Sequence, residues 1–444
     1  MSDHEQEQKR LEEERIEAQR TSLDQERPPD VGGADYAPSP TARLELLQRA
    51  GGAVIPVATT VFAFVMAMIF IAVTGHNPFT AFKGIFNGTG LNWFFPWVLG
   101  DERTNAAFNL QQTLILTATL ILTGLAVSFA FKCGMFNIGG NGQYVVGALV
   151  SAWVGSSFVE MSSGLHIFLA IVLAALAGAF FAGIAGFLKA TVGAHEVITT
   201  IMLNFVAYFV AQALVGREGQ LQNTVEKSNP VSSDIAEKAH LPVFWGDPVL
   251  QGLHAGFFIA LAMPVVFYLI LNRTTLGYEV RATGFNPEAA RYGGVNVRRS
   301  YISAMAISGA FAGLAGAIDI LGWQFRLGVL DIQVANVGFI GIAVALLGRN
   351  SAIGVPLAAL LFGALTQGTS TRNPAIADIF DPRLAGNVST IIQALVLLFV
   401  GTDLIFLWLW GSRKRFDWLP WTNRSGRSLR GSGPSGTPPI STRP

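Results

Sequence analysis

Two stretches of this sequence place polar side chains inside long apolar runs. One is GMFNIGGNGQYVVG (134–147), with Asn137, Asn141 and Gln143; the other is HEVITTIMLN (195–204), with Glu196, Thr199 and Asn204. Amides and hydroxyls of this kind do hydrogen-bonding chemistry, either with a polar solute or with backbone that a helix leaves open. At membrane depth a polar or ionisable group has to be paired or to face water, because leaving it in hydrocarbon costs several kcal/mol. The glycine-rich 134–147 stretch reads in two ways. It is either a broken or re-entrant element lining a path, or an ordinary turn whose following helix is capped by Asn137 or Asn141. Glu196 suits the positive end of a helix. Asn204, two turns deeper, suits an interhelical hydrogen bond or a path. His195 has no neighbour at metal-ligand spacing and is not expected to hold a metal. Asp319 and Asp403, near the ends of apolar runs, are expected to snorkel to the interface.

The elements that must carry these residues follow from composition. Of the 444 residues 51% are hydrophobic and 13% charged, and the mean hydropathy is +0.45. Soluble chains carry about 25% charged residues. Crossing a bilayer takes about 20 apolar residues in helical form. Such runs fall at 51–74, 107–131, 138–159, 165–188, 196–216, 250–272, 300–321, 333–348, 351–370 and 388–410. The expected fold is an all-α integral membrane protein of about ten transmembrane helices. LAGAFFAGIAG (176–186) and ISGAFAGLAGA (307–317) repeat small residues at helical spacing, in corresponding places of the two halves. They suit close helix packing and hint at a duplication of five-helix halves. Residues 1–49 and 412–444 read as hydrophilic tails flanking a membrane domain at 50–411, and no cleavable signal peptide is expected. Lys132, Lys189, Arg349 and the RKR at 413–415 all fall on one side together with the 273–299 segment, which places that side and both termini in the cytoplasm.

That segment contains TTLGYEVRATGFNPEAARYGGVNVRRS (274–300), a long charged loop between apolar runs. Asn286 is placed to cap a short helix, Pro287 fits its first position, Glu288 suits its positive end, and Gly293–Gly294 stop it. Lipid anchoring through the arginines is one reading of the loop; docking to a cytoplasmic protein is the other. No P-loop GxxxxGK[ST], no Cys/His cluster and no hydrolase motif occurs, so catalysis and direct ATP hydrolysis of that type are not expected. The single Cys133 excludes an internal disulfide.

Glu288-Ala289-Ala290 followed by Gly294 resembles the EAA-x-x-x-G pattern of permease subunits of bacterial ABC importers. MFNIGGNGQ resembles the FNIG-x-x-GQ motif of the simple-sugar and nucleoside branch, which is related to branched-chain amino-acid permeases. HEVITTIMLN and GFIGIAVALLGRNSAIG (338–354) resemble the nucleoside type. The resemblance covers roughly 50–410. It implies alternating access with no cofactor on this chain, ATP being bound by separate ATPase subunits. A second permease chain, identical or different, an extracellular substrate-binding lipoprotein and membrane lipid are the other implied partners, and no nucleic acid. It assigns ATPase coupling to Pro287, Glu288, Ala289, Ala290, Arg291 and Gly294, and makes Asn137, Asn141, Gln143, Glu196, Thr199 and Asn204 candidate path residues. Nucleosides are the expected solute, with a monosaccharide as alternative. A stand-alone secondary transporter is the rival of another class, and lacks paired ionisable groups deep in a span. Where the family commonly has Glu, this chain has Asn141.

Overall fold

The computed structural model describes residues 54–73, 75–226, 228–334, 336–370 and five positions between 390 and 398. The tails 1–49 and 412–444, Asp403 and almost all of the 388–410 run lie outside the described residues. The described residues are mainly helical, with loops between the helices, one short hairpin and two isolated bridges.

In chain order the helices are α1 (Val54–Val73), α2 (Pro78–Thr89), α3 (Gly100–Lys132), α4 (Gly140–Ser157), α5 (Ser163–Val192) and α6 (Glu196–Val215). After the hairpin, β1 (Val243–Trp245) with β2 (Leu253–His254), come α7 (Gly256–Arg273), α8 (Thr275–Phe285), α9 (Pro287–Tyr292) and α10 (Val297–Asp319). A π-helical turn (Ile320–Gln324) extends α10, and α11 (Val329–Val334), α12 (Val337–Leu347) and α13 (Gly354–Gly368) follow. Among the described residues six helical segments are long and apolar enough to cross a membrane. Ile85–Gly368 belongs to one compact unit, and Ala53–Gly84 to a second, in which Phe64 and Phe82 meet edge to face with ring centroids 5.7 Å apart.

Three boundaries differ from expectation. The segment at 273–299 is mostly helix, because Thr274 caps α8 by accepting from the Gly277 N–H. The run at 333–348 carries only the 11-residue α12. The apolar run from 300 does not stop at 321; the π turn carries it to Gln324.

α3 and α10 form the interior of the larger unit, with nearly every residue of their apolar windows buried, whereas α5, α6 and α7 keep large apolar side chains outside. Phe168, Phe180 and Phe187 of α5, Met202, Phe205 and Phe209 of α6, and Phe258, Val265 and Leu269 of α7 are all exposed. An apolar surface of that extent needs lipid rather than water against it.

The two small-residue stretches meet each other. A Cβ built on Gly309 would lie 2.1 Å from the Gly178 carbonyl oxygen, and one on Gly178 would lie 2.3 Å from that of Gly309. Gly313 faces Ala174, and Gly186 faces Tyr301 and Ile302, so α5 and α10 run antiparallel. Only side chains this small let two backbones touch along so much of their length, and in lipid that van der Waals contact is a main source of helix association. α12 and α13 close on α3 by the same device, Gly341 lying against Thr123 and Gly363 against Thr117.

Candidate functional site

The chain leaves α3 at Cys133, turns through Gly134 at φ +75° and runs non-helically to Gly139 before α4 begins. Asn137 lies at the centre of this break. Its Nδ2 donates to Gln143 Oε1 (2.9 Å) and to Ser308 Oγ (2.7 Å), while its Oδ1 accepts from Gln143 Nε2 (3.0 Å) and the Gly139 N–H (2.9 Å). Ser308 Oγ in turn donates to the Ala126 carbonyl at 2.6 Å. Ala126 stands about 9 Å back along α3 from Lys132, at roughly 1.5 Å per residue, so the broken segment lies beside the last turns of α3. The helix-cap reading of Asn137 and Asn141 is corrected here. Gly139 is the N-cap of α4 and no side chain caps that helix; Asn137 serves the residue before it.

Asn204 of α6 meets the same break from the other side. Its Nδ2 donates to the Ile138 carbonyl (3.0 Å) and its Oδ1 accepts from the Gly142 N–H (2.8 Å). One amide thus satisfies an acceptor before α4 and a donor in its first turn, groups that would otherwise be open at a helix start. Asn141, half-buried beside it, accepts weakly from the Gly338 N–H at 3.4 Å. A Cβ on Gly338 would come within 2.2 Å of the Asn141 nitrogen. The first turns of α4 and α12 therefore approach as closely as backbones can, and two positive helix ends converge on Asn141.

The fold thus gathers Asn137, Asn141, Gln143 and Asn204, together with the start of the GFIG stretch. Asn137 and Gln143 are fully enclosed. Glu196 forms an ion pair with Lys189 at 2.6 Å, bridging α5 and the first residue of α6. Thr199, half-buried, donates to the His195 carbonyl of its own helix at 3.1 Å.

Asp319 does not snorkel. It is 3% exposed and accepts from Thr119 Oγ1 (2.5 Å), Tyr144 Oη (2.7 Å) and Trp323 Nε1 (3.1 Å), joining α3, α4 and α10. Three donors on one carboxylate meet the requirement that a buried charge be hydrogen-bonded. The signal in the sequence was the carboxylate itself, with Trp323 one helical turn on; taking the span to end at 321 hid it.

The α9 helix carries the second part of the site. Asn286 caps it, Oδ1 accepting from the Glu288 and Ala289 N–H groups at 3.0 Å each. Pro287 starts it, and Gly294 leaves it at φ +82° with open space where a Cβ would sit. Glu288 and Arg291 pair on the exposed face at 2.9 Å. Ala290 turns inward while Ala289, Arg291 and Tyr292 face out, Tyr292 being 89% exposed. Tyr292 was not singled out from the sequence; its place at the tip of a capped helix is what marks it. α8 seats the helix on the bundle, since a Cβ on Gly284 would overlap the Lys132 carbonyl.

A helical bundle with a broad exposed apolar surface, a polar break between α3 and α4 and a short capped helix is the architecture of a multi-pass membrane protein. The family model for the branched-chain amino acid transport system permease component matches residues 109–401, and the chain belongs to that family. It is a multi-pass permease component of an ABC importer, not an enzyme. It is 32% identical to the guanosine ABC transporter permease protein NupP of Bacillus subtilis over 378 residues, 83% of this chain and 99% of that one. It is 34% identical to the nucleoside ABC transporter permease protein NupB of Lactococcus lactis over 316 residues, 71% and 83% of the two chains. The glucose ABC transporter permease protein TsgB13 of Haloferax volcanii is 36% identical over 316 residues, 70% and 80% of the two chains. No solved structure matches.

Proposed function

We propose that this chain translocates nucleosides inward across the cytoplasmic membrane. The observation that carries the solute class is its likeness, over most of its length, to relatives named for guanosine and nucleoside transport. The glucose permease is a comparably similar relative, so a monosaccharide is the second reading. On this proposal the chain spans the membrane about ten times as two related five-helix halves, with both tails in the cytoplasm. It works with a second permease chain, ATPase subunits and an extracellular binding protein. The exposed face of α9 docks on the ATPase, through Ala289, Arg291, Tyr292 and the Glu288 pair, with Pro287, Ala290 and Gly294 fixing the helix shape. ATP binding and hydrolysis by the partner move this helix and tip the spans in alternating access.

The solute path on this reading runs past the broken segment at 133–142. The half-buried Asn141, Thr199 and Asn204 contribute by contact, and the enclosed Asn137, Gln143 and Glu196 by holding the backbone. The test is uptake by the assembled importer in proteoliposomes loaded with ATP. Radiolabelled guanosine should accumulate and unlabelled nucleosides should compete, while glucose should not. Accumulation of glucose with no competition by nucleosides would replace the first reading with the second.

A further inference from the structure

At the end of the bundle that carries α9, the C-terminal ends of α3 and α7, the outer side of α8 and the turn between α12 and α13 enclose a cavity of about 360 Å³. Among the described residues Lys132, Arg281 and Arg349 line it, and no acidic side chain does. We propose that this cavity binds the phosphodiester headgroup of an anionic glycerophospholipid with free hydroxyls, such as phosphatidylglycerol. The proposal is independent of the solute reading.

Three observations point there. The first is the charge: basic pockets between membrane helices suit phosphate headgroups. The second is the turn that forms one wall. Arg349 and Asn350 sit at φ +55° and +49°, two successive residues in the left-handed region that side chains with a Cβ rarely adopt. The turn holds both residues at the cavity. Asn350 is 5% exposed, and its Oδ1 has no hydrogen-bond partner among the described residues. A buried amide oxygen in that condition is costly unless a donor arrives. A phosphate alone brings only acceptors, whereas a glycerol headgroup brings hydroxyl donors as well. The third observation is the opposite wall. Tyr268 lines the cavity and belongs to the exposed apolar face of α7, with Val265 and Leu269. The cations therefore stand beside a surface that acyl chains would cover.

The experiment is native mass spectrometry of the complete importer, delipidated and then titrated with phosphatidylglycerol, phosphatidic acid, phosphatidylcholine or glycerol 1-phosphate. Wild type should retain phosphatidylglycerol about tenfold over phosphatidylcholine. At about 1 kcal/mol per basic residue near the surface, roughly fivefold in affinity, Arg281→Gln with Arg349→Gln should weaken it about 25-fold. Arg281→Gln alone changes only an exposed side chain, so it serves if the turn does not tolerate the double change, and should cost about fivefold. Asn350→Leu should erase preference for phosphatidylglycerol over phosphatidic acid. Arg298→Gln with Arg299→Gln, exposed and outside the cavity, should retain wild-type binding. Equal retention of phosphatidylglycerol and phosphatidylcholine overturns the proposal, as does an equal loss in that control pair. Glycerol 1-phosphate binding as tightly as the lipid would make the site one for soluble phosphates. Loss of the ATPase subunit from Arg281→Gln with lipid retained would assign the cations to a protein partner.

Discussion

At the scale of single residues, the amide of Asn137 shows how a membrane protein keeps a helix break from being a defect. Its four hydrogen bonds leave Gln143, Ser308 and Gly139 with partners. Asn137→Leu strands several of them, at about 1–3 kcal/mol each. The expected result is a lower melting temperature of the purified importer together with lost uptake. An unchanged melt with lost uptake would instead put Asn137 in direct contact with solute. Asn141→Glu should behave oppositely. A carboxylate between two converging helix N-termini is favoured by about 0.3–1 kcal/mol for each, so uptake should persist and the melt should hold or rise; a dead variant would contradict that electrostatic account. His254, in the hairpin ahead of α7, gives a pH test. It is enclosed, accepts from the Gly256 N–H at Nδ1 (3.2 Å), and burial depresses its pKa from 6.5 to about 4. The unfolded chain therefore binds more protons between those values. Stability is fully present above pH 6.5 and falls as pH drops toward 4, by up to about 3 kcal/mol at 1.36 kcal/mol per pKa unit. His254→Gln should flatten the melting temperature between pH 7 and 5; an unchanged slope would clear His254 of the effect.

Elements meet here through glycine, and each contact has a definite tolerance. Gly178→Ala and Gly309→Ala each drive a methyl to within 2.3 Å of a backbone oxygen on the facing helix, so α5 and α10 must separate. Overpacking of this kind costs about 1–3 kcal/mol. Membrane yield and melting temperature should fall for both, while Gly183→Ala on the same helix, with nothing within 4 Å of the new Cβ, should match wild type. Equal behaviour of all three would mean that the contact is not tight. The α9 helix has the reverse problem, since it is finished in shape but open on its outer side. Ala289→Leu adds bulk to that side, and Gly294→Val forces a branched side chain to φ +82°, a strain of about 1–2 kcal/mol or more. Neither alters charge. Both should lower co-purification of the ATPase and uptake in parallel at normal membrane yield. Full retention by both variants would remove α9 from the coupling role and leave lipid anchoring as its explanation.

At the scale of the whole molecule, orientation is the property on which the functional reading turns. The coupling role requires α9 to face the cytoplasm and the 217–249 segment to face outside. Cys133 is enclosed and can first be replaced by serine. In that background, Lys238→Cys, at an exposed position, should react in intact cells with an impermeant maleimide, and Glu288→Cys only after permeabilisation. Labelling of Glu288→Cys from outside would reverse the topology and end the assignment of α9 to the ATPase.

The class of this protein was legible in its sequence because bilayer solvation acts on every residue at once. Apolar runs of span length and few charges carry that information without any partner contact. The capped α9 was legible for a related reason, since Asn286, Pro287 and the terminal glycines act on neighbours three or four residues away. What the broken segment does was not legible. Asn137 finds Ser308, Asn204 finds Ile138, and Gly338 lies against Asn141 across separations of 66 to 197 residues. The same limit applied to Asp319, which joins Thr119 and Tyr144 only once α3, α4 and α10 are packed. That the two small-residue stretches pack on each other was likewise left to the tertiary structure, which brings Gly178 against Gly309. A polar side chain in lipid must find a partner somewhere. Its type announces the need, and only the packed helices decide which group meets it.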